Sequence, residues 1–245
     1  MMLAQYVTDT RNLLNDQQGQ FFPETTLHTY INRARRRIAA ASGCLRVIPP
    51  GVQTAPNKEV YQFAAWNALA QTQLPGVKNI LACRSVSIAI GGQWKQQDDG
   101  NWIIAGGAWK PMWRRIVWTD FQARFRIYGR TFYGTISEPG WWSQFNEGPI
   151  GSIYLAPIPG QAQAMEVDLT CIPEDLLTDK DPEIIPYPWT DAVAYWSGVL
   201  CLIQQQRTQD AQAMAQAFNA EMPFAAAVVC PQMIQTAYGA TLRSA

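Results

Sequence analysis

Helical periodicity occupies both ends of this chain and strand-like periodicity its middle, and that order limits the folds it can adopt. From Leu27, the residues Tyr30, Ile31, Ala34, Ile38 and Ala41 recur at three- and four-residue spacing, which predicts an amphipathic helix of about five turns. Pro23-Glu24 supplies its start, a proline in the first turn and a carboxylate beside the positive end of the dipole. Gly43 supplies its stop. A stripe of Leu3, Tyr6, Val7, Leu13 and Leu14 predicts an earlier helix ending near Asn15-Asp16. After Pro188, Thr190 is a plausible N-cap for a helix carrying Val193, Trp196, Val199, Leu200 and Ile203. Another begins at Gln209 with Ala211, Met214, Ala217 and Phe218, and Pro223 is expected to end or kink it.

Between these ends, proline, glycine and aromatics punctuate short apolar runs. Arg84 to Ile90 alternates with period two, meets Gly91-Gly92 and resumes at Gln93-Trp94-Lys95, a hairpin signature. Trp102–Ile104, Ser152–Leu155 and Met165–Ile172 are further strand candidates, and Thr119 to Phe125 a short helix capped by Thr119. The expected class is α+β: a helical bundle from residues 1–44 and 184–229, a β-rich insertion at 45–183, and an extended C-terminal tail at 230–245.

Hydrophobic residues make up 48% of the 245 residues and charged ones only 16%, below the usual quarter. Uncharged polar groups or other subunits must therefore cover much of the surface, and ten tryptophans suit buried interfaces. Net charge is zero, yet residues 1–130 carry 16 Lys/Arg against 7 Asp/Glu and residues 131–245 carry 3 against 12. Two explanations compete: neutralisation within the fold, or a basic surface meeting the acidic surface of a neighbour. Five scattered cysteines without a C-x-x-C pair, and no secretory signal, point to reduced thiols and synthesis in a cytosol. The longest apolar run, Ala192 to Ile203, is too short to span a bilayer.

Catalytic signatures are sparse. His28 is the sole histidine, and no H-E-x-x-H, P-loop or Cys/His ligand spacing accompanies it. Gly91-Gly92 and Gly106-Gly107 read as hairpin turns rather than phosphate cradles. Glu166 and Asp168 share a strand face, and Glu174, Asp175, Asp179, Asp181 and Glu183 form an acidic loop. Paired carboxylates beside Trp94, Trp102, Trp109, Trp113, Trp141 and Trp142 keep open a carbohydrate-binding or glycan-degrading protein. The expectation is no enzyme, with no catalytic residue, cofactor or metal.

Four arginines, Arg33 and Arg35 to Arg37, crowd the long N-terminal helix. At about 100° per residue, Leu27, Ile31, Ala34 and Ile38 fall within about 60° of arc, while the arginines fan over about 200°. A helix that reads duplex DNA concentrates its basic groups on one side. These arginines instead surround a buried stripe, Arg36 opposite it, and Arg33, Arg36 and Arg37 are expected to meet acidic groups of a neighbouring subunit.

A series of segments resembles bacteriophage head-to-tail adaptor proteins, the tail accessory factors of short-tailed phages. It comprises Leu13-Leu-Asn-Asp16, Phe21-Phe22, Tyr30-Ile-Asn-Arg-Ala-Arg-Arg36, Ser42-Gly-Cys-Leu-Arg46, Leu74-Pro-Gly-Val77, Ser85-Val-Ser-Ile88, Trp118-Thr-Asp-Phe121, Gly151 to Pro159 and Ile185 to Val193. Asp98 to Met112 fits least. The resemblance implies a structural virion protein: a twelve-fold homo-oligomeric ring that joins the portal protein to the tail nozzle and continues the DNA channel. Tail fibres and passing DNA are further contacts, with no membrane. It also implies a helical bundle with a β-rich insertion, and a C-terminal segment docking on the portal through Ile234, Tyr238 and Leu242. The expected location is the virion head-tail junction, after synthesis in the bacterial cytoplasm. A DNA-binding packaging or regulatory protein is the third reading.

Overall fold

A computed structural model describes residues 2–110, 114–127 and 139–229. The tail residues Ile234, Tyr238 and Leu242 and the expected extended tail lie outside the described residues, as do Trp113 and the side chain of Trp109. The protein mixes helices and sheets, with six α-helices among the described residues. It divides into two compact units: Met1–Leu45 together with the chain from Pro173 onward, and Arg46–Ile172.

The first unit is helical. Helix α1 spans Leu3–Leu14 and ends at Asn15, whose left-handed backbone turns its N–H onto the Arg11 and Asn12 carbonyls. Asp16 then organises the link to the next helix, its carboxylate accepting the Gln20, Phe21 and Phe22 amides at 2.8, 3.2 and 3.1 Å. Helix α2 spans Glu24–Ser42 and stops at Gly43 in the left-handed region, so the five-turn expectation holds with Pro23 one position outside it. Leu27, Ile31, Ala34 and Ile38 are fully buried. Four further helices are α3 (Asn67–Gln73), α4 (Trp118–Phe121), α5 (Asp191–Gln204) and α6 (Thr208–Val229). Within the helical unit, α5 packs against α1, α2 and α6. Helix α6 continues through Pro223 rather than ending there. Proline forfeits one ladder bond, and the alanine-rich residues that follow favour helix.

Among its described residues the second unit has ten strands: β1 (Arg46–Val47), β2 (Val60–Gln62), β3 (Val77–Ile90), β4 (Gln93–Gln96), β5 (Trp102–Ala105), β6 (Ala108–Lys110), β7 (Arg114–Arg115), β8 (Trp141–Phe145), β9 (Ser152–Ala156) and β10 (Ala164–Pro173). One sheet runs β1-β10-β3-β6, a second β2-β9-β8-β7, and β4-β5 forms a separate ribbon. Strand β3 packs against β8, and β10 is buried along nearly its whole length. Ile80, Val86, Ile88, Val167, Leu169, Trp142, Ile153 and Leu155 form this core. At its margin, a Cβ on Gly151 would sit 2.4 Å from the Phe63 ring; glycine lets that ring close over the backbone.

Two expectations need correction here. The hairpin across Gly91-Gly92 does not form, because β3 pairs with β6, and β4 with β5. The two glycine pairs meet instead, since a Cβ on Gly107 would lie 2.5 Å from the Gly92 nitrogen. That crossing redirects the chain between ribbon and sheet. Helix α4 has Val117 at its N-cap position, two residues before the expected Thr119, and continues as a π-helical segment, Gln122–Ile127. The compact helical unit resumes at Pro173 and so takes in the acidic segment of residues 174–183.

Candidate functional site

The arginine helix has two buried faces, not one. Beside the apolar stripe lies a polar face of Asn32, Arg35 and Arg36, and the acidic strap of residues 174–183 lies across it. Asn32 pairs with the Leu176 backbone as a strand would, its Nδ2 donating to the Leu176 carbonyl at 2.9 Å and its Oδ1 accepting the Leu176 amide at 2.8 Å. Arg35, only 1% exposed, donates from Nε and Nη2 to the two Glu183 oxygens, each at 2.8 Å. Its Nη1 donates to Asn32 Oδ1 and the Glu174 carbonyl. Arg36 Nη1 donates to Asp175 at 2.7 Å. Midway along the strap, Asp179 accepts the Ala4 amide in the first turn of α1, where the dipole favours an anion.

Glu183 also accepts the Tyr6 hydroxyl at 2.8 Å. Burial opposes its charge, yet the hydrogen bonds and positive charge of Arg35 outweigh that cost and hold its carboxyl below the usual carboxylate range. The same burial, with the Glu183 charge beside it, pushes the Tyr6 hydroxyl well above its ordinary value. A buried ion pair with its remaining valences filled fixes a geometry more than it stabilises one.

The other arginines occupy different sectors. The Arg37 guanidinium lies 3.7 Å from the centre of the Trp196 ring on α5, a cation–π contact. Nearby, the Tyr30 hydroxyl donates to Gln204. Arg33 is exposed, and among the described residues no ion pair engages it. Of the three arginines expected at a subunit contact, Arg36 and Arg37 thus have partners in their own chain and Arg33 points outward. His28 sits 3.5 Å from Glu24 on the same helix, partly exposed.

Part of the charge asymmetry along the sequence is spent inside the fold. The Arg35–Glu183, Arg36–Asp175 and Arg46–Asp168 pairs each join the basic first half to the acidic second half. By unit, the β unit carries 11 basic and 8 acidic residues and the helical unit 8 and 11. The halves differ far more than the units do, which favours neutralisation within the fold.

The remaining candidates follow the same trend. Asp168 is held by Arg46, with Nε to Oδ1 at 3.1 Å, so Glu166 and Asp168 do not form an unengaged acid–base pair. Trp142 is buried beneath Arg115, Trp141 lies under Arg114, and Trp94 donates to the Val52 carbonyl at 2.7 Å. Of the six tryptophans weighed as a sugar platform, Trp102 is the exposed one among the described residues. An aromatic cluster absent from that expectation gathers Phe121, Phe145 and Tyr154 around Trp118, the last two with ring centres 4.8 and 4.5 Å away. An open cleft of about 420 Å³, walled by Val52, Thr54, Tyr61 and Trp66, has Lys58 as its charged lining group among the described residues.

Four cysteines among the described residues are free thiols. Burial raises all of them, Cys171 and Cys201 to about 12, which makes them poor nucleophiles. Among the described residues, no three His, Cys, Asp or Glu side chains gather as a metal site, and no helix is long and apolar enough to cross a membrane. Comparison with models of known protein families gives no match, and comparison with curated proteins gives none either.

Proposed function

We propose that this protein is a structural subunit of a phage head-to-tail adaptor, a ring of twelve copies that joins the portal to the tail nozzle and continues the DNA channel. The observation that carries this reading is the discontinuous helical unit. Residues from both ends of the chain build one compact body while Arg46–Ile172 forms another, the plan that the resembling sequence segments imply. In this reading α1, α2, α5 and α6 form a helical bundle and the β unit is its insertion. The acidic strap, tied to Asn32, Arg35 and Arg36, is a rigid part of the subunit rather than an arm that reaches a neighbour. Arg33 is the arginine of α2 left to meet the next copy, and the C-terminal residues Ile234, Tyr238 and Leu242 dock on the portal.

Low charge also supports the reading, because ring subunits bury both flanks against neighbours. A channel that binds DNA tightly would brake its passage, and a chain without net positive charge avoids this. Native mass spectrometry of the purified chain mixed with the portal ring of the same virus tests the proposal. The expected product is a portal ring carrying a full complement of subunits. A portal ring that stays bare at saturating concentrations rejects it.

A further inference from the structure

The β4-β5 ribbon has an open edge. Gln97 N–H donates to the Asn101 carbonyl at 2.8 Å, closing a three-residue turn with Gly100 in the left-handed region. Bonded and non-bonded pairs alternate along an antiparallel ladder. With the register Lys95↔Ile103 and Gln93↔Ala105, those two pairs exchange hydrogen bonds. The N–H and C=O groups of Trp102 and Ile104 therefore point away from β4, and among the described residues nothing meets them. Trp102 is 43% exposed and Ile103 39%. No charged residue lies between Gly100 and Trp109.

The long strand β3 is treated differently. Its Ile80 and Cys83 amides are taken by the side-chain oxygens of Asn67 and Gln144, at 3.0 and 2.9 Å. Proteins ordinarily blunt an edge by such capping, or with a charge or proline. Strand β5 has none of these along Trp-Ile-Ile-Ala.

We propose that β5 is a self-association edge, pairing antiparallel with β5 of a second copy about a twofold axis at Ile103. In that register Trp102 faces Ile104 of the second copy on both sides of the axis. The outward groups of both residues then close four backbone hydrogen bonds, and Ile103 faces its own equivalent. The fit to a second copy comes from charge. Antiparallel pairing sets uncharged residues opposite one another and places the Asp98-Asp99 tips at opposite ends, whereas parallel pairing would set those tips side by side. The product is a four-stranded sheet, β4-β5-β5-β4, in place of a two-stranded ribbon that is marginal alone. The patch is small, so the dimer is weak and reversible. A twofold contact cannot be the contact repeated round a cyclic ring, so this edge goes beyond the adaptor reading and stands or falls separately.

Sedimentation of the full-length chain over a roughly hundredfold concentration range tests this. The wild type should pass from monomer to dimer. Ile103→Lys sets like charges across the axis and should raise the dissociation constant at least about tenfold. Ile104→Pro removes an N–H that makes no bond within its own ribbon and should do the same, with circular dichroism unchanged. Mixing Ile103→Lys with Ile103→Glu should restore a dimer that neither variant forms alone. A wild type that stays monomeric throughout overturns the proposal, as does a dimer indifferent to Ile103→Lys. Trp102 and Ile104 amides protected from hydrogen exchange in the monomer would also overturn it, since another part of the same chain would then own the edge.

Discussion

Replacing Glu183 with glutamine keeps the shape of the polar face of α2 and removes its buried negative charge. Arg35 and Glu183 are 1% and 2% exposed at their side chains, so the guanidinium left behind cannot turn to water. Truncating one member of such a pair costs about 3–5 kcal/mol. Arg35 keeps two partners through Nη1, Asn32 Oδ1 and the Glu174 carbonyl, which places Glu183→Gln at about 3 kcal/mol. For a chain of this size that is a fall in Tm of about 6–12 °C. The double variant Arg35→Met/Glu183→Leu removes both charges and should recover most of the loss, because apolar replacements of buried pairs are often neutral. The pH dependence adds a second readout. Arg35 holds the Glu183 carboxyl below its ordinary value, so its contribution is complete above that ordinary value and lost as pH falls through the folded-state value. The stability gap between wild type and Glu183→Gln should therefore be full at neutral pH and close in acid. Calorimetry and urea unfolding at several pH values measure both. A Glu183→Gln protein within about 0.5 kcal/mol of wild type at neutral pH, the range of ordinary surface changes, refutes the reasoning.

Tyr6→Phe should cost about 1.5–3 kcal/mol at neutral pH, the range for a hydrogen bond to a charged group. Because burial raises the Tyr6 hydroxyl above its ordinary value, its contribution is intact below that ordinary value and lost progressively above it, so the variant should show a flatter alkaline limb in pH-dependent urea unfolding. Gly107→Ala places a Cβ 2.5 Å from the Gly92 nitrogen at a residue with φ +77°. It should speed hydrogen exchange in β4 and β5 while leaving α1, α2 and α5 protected. Arg33→Glu should leave Tm unchanged and reduce the number of copies that native mass spectrometry finds on a portal ring, whereas Arg36→Glu should lower Tm by breaking the Asp175 contact.

Local signals served the helices well. The stripe from Leu27 to Ile38 needs only the 3.6-residue repeat to be recognised, and Gly43 needs only its backbone freedom. The polar face of α2 had no such signal. Arg35 and its partner Glu183 lie 148 residues apart in the chain, and the acidic stretch reads as a solvated loop until it meets its arginines. One hint was available: Arg35 lies within about 40° of Ile31 on the helical wheel, nearer the buried stripe than any other arginine. The strands behaved likewise. Trp102–Ile104 and Ser152–Leu155 are legible from composition, but which strand joins which is decided by distant pairing. Gly91-Gly92 resembled a turn between neighbours, while the Gly107 backbone against it sent β3 and β4 to different partners. Charge followed the same logic, with an asymmetry along the chain absorbed by pairs such as Arg46–Asp168.

Electron microscopy of the purified chain mixed with portal rings of the same virus tests the adaptor claim most directly. The expected images are portal particles extended on one face by a second ring of twelve copies, with an open axial channel. Portal particles without added density, beside free chain, would contradict it.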